Sequence, residues 1–218
     1  MVSARGTGVA LSVAAWFGLA LQLVLSIRLT YRSGNPSVSG ALIIYFGYFT
    51  ILTNLFVALV ATAGLAEGRA AWAKTLAKRG WEGCATASIV FVCASYHLLL
   101  REIWSPQGLQ WLADIDLHYA VPMLALLHWT LSRGPRLAAS APLIWCIYPA
   151  AYFVYALIRG EWLQTYPYPF IDVSVLGYPR VEIHSLILLA AYVLFGYFVW
   201  GIGRVRGPIA TQPSTSVS

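Results

Sequence analysis

Long apolar segments separated by short polar ones dominate the pattern of this chain. Six segments are long enough to cross the hydrocarbon core of a bilayer, which needs about 20 apolar residues in helical conformation. Inside hydrocarbon every backbone N–H and C=O group needs a partner within the protein, so separate spans of this kind must be helices. The pattern therefore predicts an all-α polytopic membrane protein, a six-helix transmembrane bundle. The predicted spans are residues 9–27, 40–65, 83–103, 114–132, 138–158 and 183–203.

The composition agrees with this prediction. Hydrophobic residues make up 59% of the 218 residues and charged residues 10%, whereas about 25% of an ordinary soluble domain is charged. Residues 1–206 are therefore predicted to form a single membrane domain. The first span is too long for a signal peptide, and no small-residue cleavage site follows it before Arg28. Residues 207–218 are rich in Pro, Ser and Thr, which predicts a disordered tail.

The distribution of basic residues indicates the orientation. Nine of the 14 Lys and Arg residues lie in the N-terminal segment, the second and fourth connections and the tail, and five lie on the opposite side. The positive-inside rule then predicts that both termini are cytoplasmic, with the protein in the plasma membrane. The net charge of +6 would face anionic headgroups, so membrane lipids are the predicted partners. Nucleic-acid binding is not expected because no folded module presents this charge. The sequence makes no prediction of oligomeric state.

Several polar residues of different spans are predicted to lie at one depth. A helix rises about 1.5 Å per residue, so counting from the cytoplasmic charges places Thr50, Thr53, His97 and His118 about 21 to 25 Å outward. Asn54 lies slightly deeper. Three other polar residues fall near the outer boundary by the same count: Arg101, Asp114 and His184.

A hydroxyl and an imidazole at the same depth are the parts of a nucleophile–base pair. A threonine hydroxyl is a weak nucleophile until a base removes its proton, and neutral histidine is the usual base near pH 7. Asp114 precedes His118 by four residues, so the two share a helix face and the carboxylate can orient the ring. The alternative is structural: a threonine within a span often bonds its own i−4 carbonyl, and histidines and Asn54 can link helices.

Ordered sequence patches resemble a known family. The chain resembles the androgen-induced-gene family of six-span membrane proteins, which are atypical threonine hydrolases, and in particular its bacterial six-helix relatives. The resemblance covers roughly residues 40–175 and rests on four patches: Tyr48-Phe49-Thr50-Ile51-Leu52-Thr53-Asn54; Arg101-Glu102-Ile103 with Pro106; Trp111-Leu112 followed by His118 and Pro122; and Tyr168-Pro169-Phe170-Ile171-Asp172.

The resemblance implies a working pair made of a threonine on the second helix and a histidine on the fourth. His118 matches the family histidine, and Thr50 matches the nucleophile because it follows an aromatic pair. The family spacing from the threonine to the next asparagine is one residue shorter than here, so Thr53 is the alternative nucleophile. Leu100 replaces an acid that precedes the family's Arg-Glu pair. Eukaryotic relatives cleave fatty acid esters of hydroxy fatty acids, which implies a lipid ester or similar amphiphile as substrate.

The predicted function is therefore threonine-type hydrolysis of a lipid ester within the membrane, without a cofactor. Asn54, Tyr119 or Arg101 would donate hydrogen bonds to the developing oxyanion, and His97 and Asp114 would support the site. The acyl chain is expected among four apolar residues of the second span: Phe49, Leu52, Leu55 and Phe56.

Two alternatives remain at this stage. A zinc-dependent lipid hydrolase would use His97, His118 and His184 with Asp114 or Asp116 as ligands. A non-catalytic membrane protein, such as a small transporter, a receptor or an assembly factor, would use the same polar layer to line a path or to join helices. The absence of internal repeats counts against a transporter.

Overall fold

The computed structural model of the protein describes residues 3–34, 36–66 and 69–205, and within these ranges every regular element is a helix. The all-α prediction is thus confirmed, whereas the predicted tail at 207–218 lies outside the described residues. The α-helices are α1 (Ala4–Arg32), α2 (Val38–Tyr45), α3 (Phe49–Leu65), α4 (Ala71–Leu76), α5 (Arg79–Leu99), α6 (Leu109–Ile115), α7 (Val121–Leu131), α8 (Ala141–Trp145), α9 (Ile147–Leu163), α10 (Val173–Leu176) and α11 (Tyr178–Val205). A π-helical segment, Asp116–Ala120, joins α6 to α7, and a 3₁₀ turn, Pro169–Ile171, precedes α10.

Helices α1, α3, α5 and α7 form a ring in which each packs against two of the others. Small residues line these contacts and let the backbones approach closely, as is typical of helices in membranes. Ala15 of α1, Ala58 of α3, Ala87 of α5 and Ala125 of α7 are all buried. Helix α11 packs on the outside of α5 and also contacts α8 and α9. The bundle is therefore a four-helix core with a second layer on one side.

The helices are apolar on their outer surfaces as well as in the core. In the described part of the chain, four helical stretches are long and apolar enough to cross a membrane: Ala4–Arg32, Arg79–Leu99, Ala141–Leu163 and Tyr178–Val205. Many large apolar side chains of these stretches are exposed, including Val13, Ile158 and Leu194. Such a surface is unusual for a soluble monomer and fits a multi-pass protein embedded in a membrane.

The prediction of six uninterrupted spans is not reproduced. The predicted second span, 40–65, is broken into α2 and α3, which are bent by 83° and count as a fifth span only if taken together. The predicted fourth span, 114–132, corresponds to α6, the π-helical segment and α7, and it is not among the four candidates. This stretch is divided by the π-helical segment and carries two aspartates and two histidines.

The break between α2 and α3 exposes backbone carbonyls that α9 satisfies. Tyr152 donates its hydroxyl to the Gly47 carbonyl (3.0 Å), and Tyr155 donates to the Phe46 carbonyl (3.2 Å). The buried guanidinium of Arg159 donates to the Ile43 carbonyl (3.1 Å) in the last turn of α2. Irregular backbone is tolerated at membrane depth only where such partners exist. The sequence did not reveal the break because its partners lie about 100 residues further along the chain.

Candidate active site

Thr50 lies in the first turn of α3, immediately after the break. The cap residue Tyr48 makes no side-chain hydrogen bond to this helix end, so the first-turn N–H groups need partners from elsewhere. The Thr50 N–H donates to the phenol oxygen of Tyr168 at 3.3 Å. Its hydroxyl also differs from that of Thr62 in the same helix, which donates to the Ala58 carbonyl in the usual i−4 manner. The break therefore leaves the Thr50 hydroxyl available to another helix.

The hydroxyl of Thr50 meets the imidazole of His118. Thr50 Oγ1 lies 3.3 Å from His118 Nε2. On the other side of the ring, His118 Nδ1 lies 3.2 Å from Asp114 Oδ1 and 3.1 Å from the Asp114 carbonyl. Because Nδ1 faces two oxygen acceptors, it carries the proton, and Nε2 presents its lone pair to the threonine. The order hydroxyl, imidazole, carboxylate is that of a nucleophile, a base and its orienting group.

Tyr96 holds both members of the histidine–aspartate pair. Its ring stacks on the imidazole with 3.8 Å between centroids and 15° between planes. Its hydroxyl donates to Asp114 Oδ2 at 2.6 Å. Asp114 is buried, and a buried carboxylate needs such donors. The imidazole is thereby fixed in the plane in which Nε2 points at Thr50.

His118 lies in the π-helical segment, where one extra residue per turn changes the direction in which side chains project. The Val121 N–H bonds the Asp116 carbonyl, which is the i→i−5 pattern of a π-helix. The next residue along that pattern, Pro122, has no N–H to give to the Leu117 carbonyl. Asn54 supplies the missing donor, because its Nδ2 lies 3.3 Å from that carbonyl and 2.8 Å from the Thr50 carbonyl. One amide thus ties the nucleophile helix to the segment that carries the base.

Gly18 of α1 allows the π-helical segment to pack closely. A Cβ atom at this position would overlap the Asp116 carboxylate and lie 2.8 Å from Leu117 Cδ2. Val121 and Leu117 are fully or nearly fully buried beside it. The missing side chain at Gly18 therefore lets α1 pack closely against the π-helical segment.

The other predicted site residues lie outside this pair. Thr53 is buried, and its hydroxyl is 3.1 Å from the hydroxyl of Tyr148 rather than from an imidazole. His97 Nδ1 is 3.2 Å from the Tyr119 hydroxyl, and both lie near the surface. Arg101 is exposed at the end of α5. Of the residues proposed as oxyanion donors, Asn54 uses its amide on carbonyls, Tyr119 bonds His97, and Arg101 is exposed.

The three histidines considered as zinc ligands are not brought together. His184 Nδ1 is 2.9 Å from the Phe170 carbonyl, whereas His97 contacts Tyr119 and His118 contacts Thr50. Among the residues that the structure describes, no group of three His, Cys, Asp or Glu side chains is placed to hold a metal ion. The alternative with His97, His118 and His184 therefore has no common ligand set.

A cavity of about 470 Å³ opens beside Thr50. Its size lies within the range of about 300–1,000 Å³ that is usual for small-molecule sites. Phe49, Thr50, Tyr96 and Tyr168 form its inner end, and side chains of α5, α9 and α11 form its walls. The walls are mostly apolar. Of the four residues predicted to surround an acyl chain, only Phe49 lines it; Leu52, Leu55 and Phe56 do not.

The cavity reaches the outer surface of the bundle between α9 and α11. Val154 of α9 and Leu186 of α11 line it, yet both side chains are more than half exposed. An apolar molecule can therefore enter from the side of the bundle between Val154 and Leu186, although the exposed Glu182 also lines the cavity.

Tyr168 is a site residue that the sequence analysis did not single out. It follows α9, is 9% exposed, and stacks on Phe170 with 5.1 Å between ring centroids. Burial raises the pKa of its phenol, and hydrogen bonds with the side chain and the amide of Thr50 act in the opposite direction. The phenol is therefore protonated at neutral pH. The available signal was the Tyr-Pro-Phe patch itself, which places two aromatic rings in an external connection.

The fold and site together define an all-helical, membrane-type bundle with a hydroxyl–imidazole–carboxylate arrangement beside an apolar cavity. No protein-family model, no curated protein and no solved structure matches this chain.

Proposed function

We propose that the protein is an intramembrane hydrolase of lipid esters that uses Thr50 as nucleophile and His118 as general base. The observation that carries the proposal is the 3.3 Å contact between Thr50 Oγ1 and His118 Nε2, with Asp114 behind the ring and the apolar cavity beside the hydroxyl. The resemblance to the androgen-induced-gene family supports it independently, because the family's working threonine and histidine correspond to these two residues.

The proposed reaction has two stages. His118 Nε2 takes the proton of Thr50 as the oxygen attacks the ester carbonyl carbon, and a tetrahedral oxyanion forms. Its collapse breaks the ester C–O bond, and the leaving alkoxide takes the proton from His118 to depart as an alcohol. Water then attacks the acyl-threonine, giving its proton to His118. The second tetrahedral intermediate releases the carboxylic acid, and the proton returns to Thr50. No cofactor takes part.

Access from the lipid phase favours an acyl substrate. A lipid tail entering between α9 and α11 stays in apolar surroundings until its ester reaches Thr50. The buried end of the cavity excludes bulk water, which strengthens the electrostatic interactions at the reacting atoms. Polar groups of the substrate would remain outside the apolar walls.

The proposal includes the orientation of the bundle. In it the chain crosses the plasma membrane six times, with α2 and α3 as one broken span and α6 to α7 as another, and both termini are cytoplasmic. The basic residues of the second and fourth connections support this orientation. The site then lies in the outer leaflet. Cysteine accessibility at Arg136→Cys and Trp162→Cys tests it, since only the latter should react with an impermeant maleimide from outside.

Covalent labelling by a fluorophosphonate tests the mechanism. The purified wild type should be labelled at Thr50, as mapped by mass spectrometry, and should hydrolyse a long-chain ester in detergent or nanodiscs. Thr50→Ala and His118→Ala should lose both activities. Thr50→Ser keeps a hydroxyl and should retain labelling. His97→Ala, which alters an imidazole outside the pair, is the matched control and should be labelled like wild type.

Thermal unfolding of each variant separates catalysis from structure. Variants that keep the wild-type midpoint but lose labelling support the proposal. A wild type that neither labels nor hydrolyses esters would refute it, and the non-catalytic alternative would then stand. Labelling that persists in both Thr50→Ala and His118→Ala would refute the assignment of the pair.

A further inference from the structure

The phenol of Tyr168 bonds the Thr50 N–H and lines the same cavity as Thr50. We propose that Tyr168 is a catalytic residue whose O–H donates to the ester carbonyl oxygen as it becomes an oxyanion. This inference rests on the proposed function and adds the group that stabilises its transition state.

The phenol proton is directed at the oxygen that would attack the ester: because the Thr50 hydroxyl proton faces His118 Nε2, the side-chain hydrogen bond between Thr50 and Tyr168 has the phenol as donor. The phenol oxygen accepts from the Thr50 N–H at 3.3 Å, and this donor occupies one side of the oxygen. Among the described residues, the hydrogen bonds of Tyr168 include no carbonyl or carboxylate acceptor for its O–H. Tyr168 lines the cavity together with Thr50. A carbonyl carbon within bonding reach of Thr50 Oγ1 therefore places its oxygen within reach of the phenol.

The position of the phenol at the start of α3 makes it a stronger donor. The first-turn N–H groups of a helix carry a partial positive charge of about half an elementary unit. A phenol that accepts from such an N–H is polarised, and its own O–H becomes a better donor to a negative oxygen. The break between α2 and α3 is what brings this helix end to the cavity.

Other donors are committed elsewhere. The Asn54 amide bonds the carbonyls of Thr50 and Leu117, and the Tyr96 hydroxyl donates to Asp114. The Tyr152 hydroxyl, which also lines the cavity, donates to the Gly47 carbonyl. Ser185, which also lines the cavity, donates to the Val181 carbonyl. Among the described residues that line the cavity, the Tyr168 phenol is the hydroxyl that bonds Thr50 itself.

The rival explanation is structural, because the phenol accepts from a first-turn N–H of α3, a helix that its own N-cap residue does not cap. Tyr168→Phe removes only the hydroxyl and keeps the ring that stacks on Phe170 and contacts Tyr48. Tyr155→Phe is the matched control, since it removes a phenol that bonds the same helix break but does not line the cavity.

The test compares turnover of a long-chain ester with binding of the corresponding trifluoromethyl ketone, which forms a tetrahedral oxyanion with the nucleophile. In Tyr168→Phe we expect kcat/KM to fall about 100- to 1,000-fold, as it does when a single oxyanion donor is removed, with KM little changed. The affinity for the ketone should fall by a similar factor. In Tyr155→Phe the ratio of ketone affinity to ester KM should stay at the wild-type value.

The outcomes are distinct. Unchanged kcat/KM and ketone affinity in Tyr168→Phe, with an active wild type, overturn this inference alone. If the ester KM rises and the ketone affinity falls by the same factor, Tyr168 acts only as a structural helix cap. This result also overturns the inference. An inactive wild type overturns the proposed function and this inference with it. Should Tyr168→Phe not fold, trifluorotyrosine at position 168 keeps ring and hydroxyl. Its lower phenol pKa should then bring the alkaline loss of activity to lower pH, and an unshifted profile would overturn the inference.

Discussion

The substitution Asn54→Leu tests whether one amide aligns the two halves of the site. Asn54 Nδ2 bonds the Leu117 carbonyl, which Pro122 cannot serve. Leucine has a similar shape and no donor. It therefore leaves the Leu117 carbonyl without a partner and frees the π-helical segment from α3.

The expected effect on stability is small, and the expected effect on reactivity is large. An unsatisfied buried carbonyl costs about 1–3 kcal/mol. The same substitution also removes Asn54 Oδ1, which is buried without a partner in the described structure, and this returns a similar amount. The net change in the free energy of unfolding should therefore stay within about 1 kcal/mol. A displacement of His118 by about 1 Å would slow the reaction roughly 100-fold.

The assay measures the second-order rate of fluorophosphonate labelling and the thermal midpoint of the same preparations. A second substitution, Pro122→Ala, restores an N–H that can bond the Leu117 carbonyl. The double variant Asn54→Leu/Pro122→Ala should therefore recover part of the labelling rate, with a coupling of about 1–3 kcal/mol in the double-mutant cycle. Wild-type labelling in Asn54→Leu would refute this reasoning. Strictly additive effects would show that the two residues do not act on one carbonyl.

Three further substitutions probe the surroundings of the pair. Gly18→Ala should lower the free energy of unfolding by about 1–3 kcal/mol through overpacking and should slow labelling. Gly64→Ala, whose Cβ would meet nothing within 4 Å, should change neither. Equal thermal midpoints and labelling rates in the two variants would contradict the close approach of α1. Thr53→Val should lower the free energy of unfolding by about 0.5–1.5 kcal/mol, because one hydrogen bond is lost, and should leave labelling intact. Loss of labelling in a folded Thr53→Val variant would favour Thr53 as nucleophile. Arg159→Gln should lower the stability by about 2–3 kcal/mol because charged hydrogen bonds to carbonyls are lost, and an unchanged thermal midpoint would argue against its role at the break.

The levels of the polar residues could be predicted from the sequence, because depth follows from helical rise and the positions of flanking charges. This placed Thr50 and His118 together, and the two side chains are in contact in the structure. Counting could not choose between Thr50 and Thr53, because depth contains no information on rotation about the helix axis. The choice depends on where α3 begins, and Tyr152, Tyr155 and Arg159 of α9 stabilise that beginning.

The direction of His118 was also beyond sequence reasoning. It depends on the π-helical segment. Pro122 in the same stretch lacks the N–H that would bond the Leu117 carbonyl, Asn54 of α3 supplies that donor, and Gly18 of α1 leaves space for the segment. Tyr168 was missed for a related reason: aromatic residues near membrane boundaries are usually anchors, and only the packing shows one turned inward. Local pattern therefore predicted an all-helical, apolar fold, whereas tertiary hydrogen bonds determine the geometry of the site.

The single additional residue in the segment Asp116–Ala120 has a consequence for how such an activity arises or disappears. Each residue of a helix turns the chain by about 100°, so deleting one codon here would swing His118 away from Thr50 while α7 kept its packing. The cavity beside Thr50, which this segment does not line, would remain without the imidazole next to the hydroxyl. Under the proposed function, an inactive ancestor could conversely have acquired hydrolysis through one in-frame insertion in this segment.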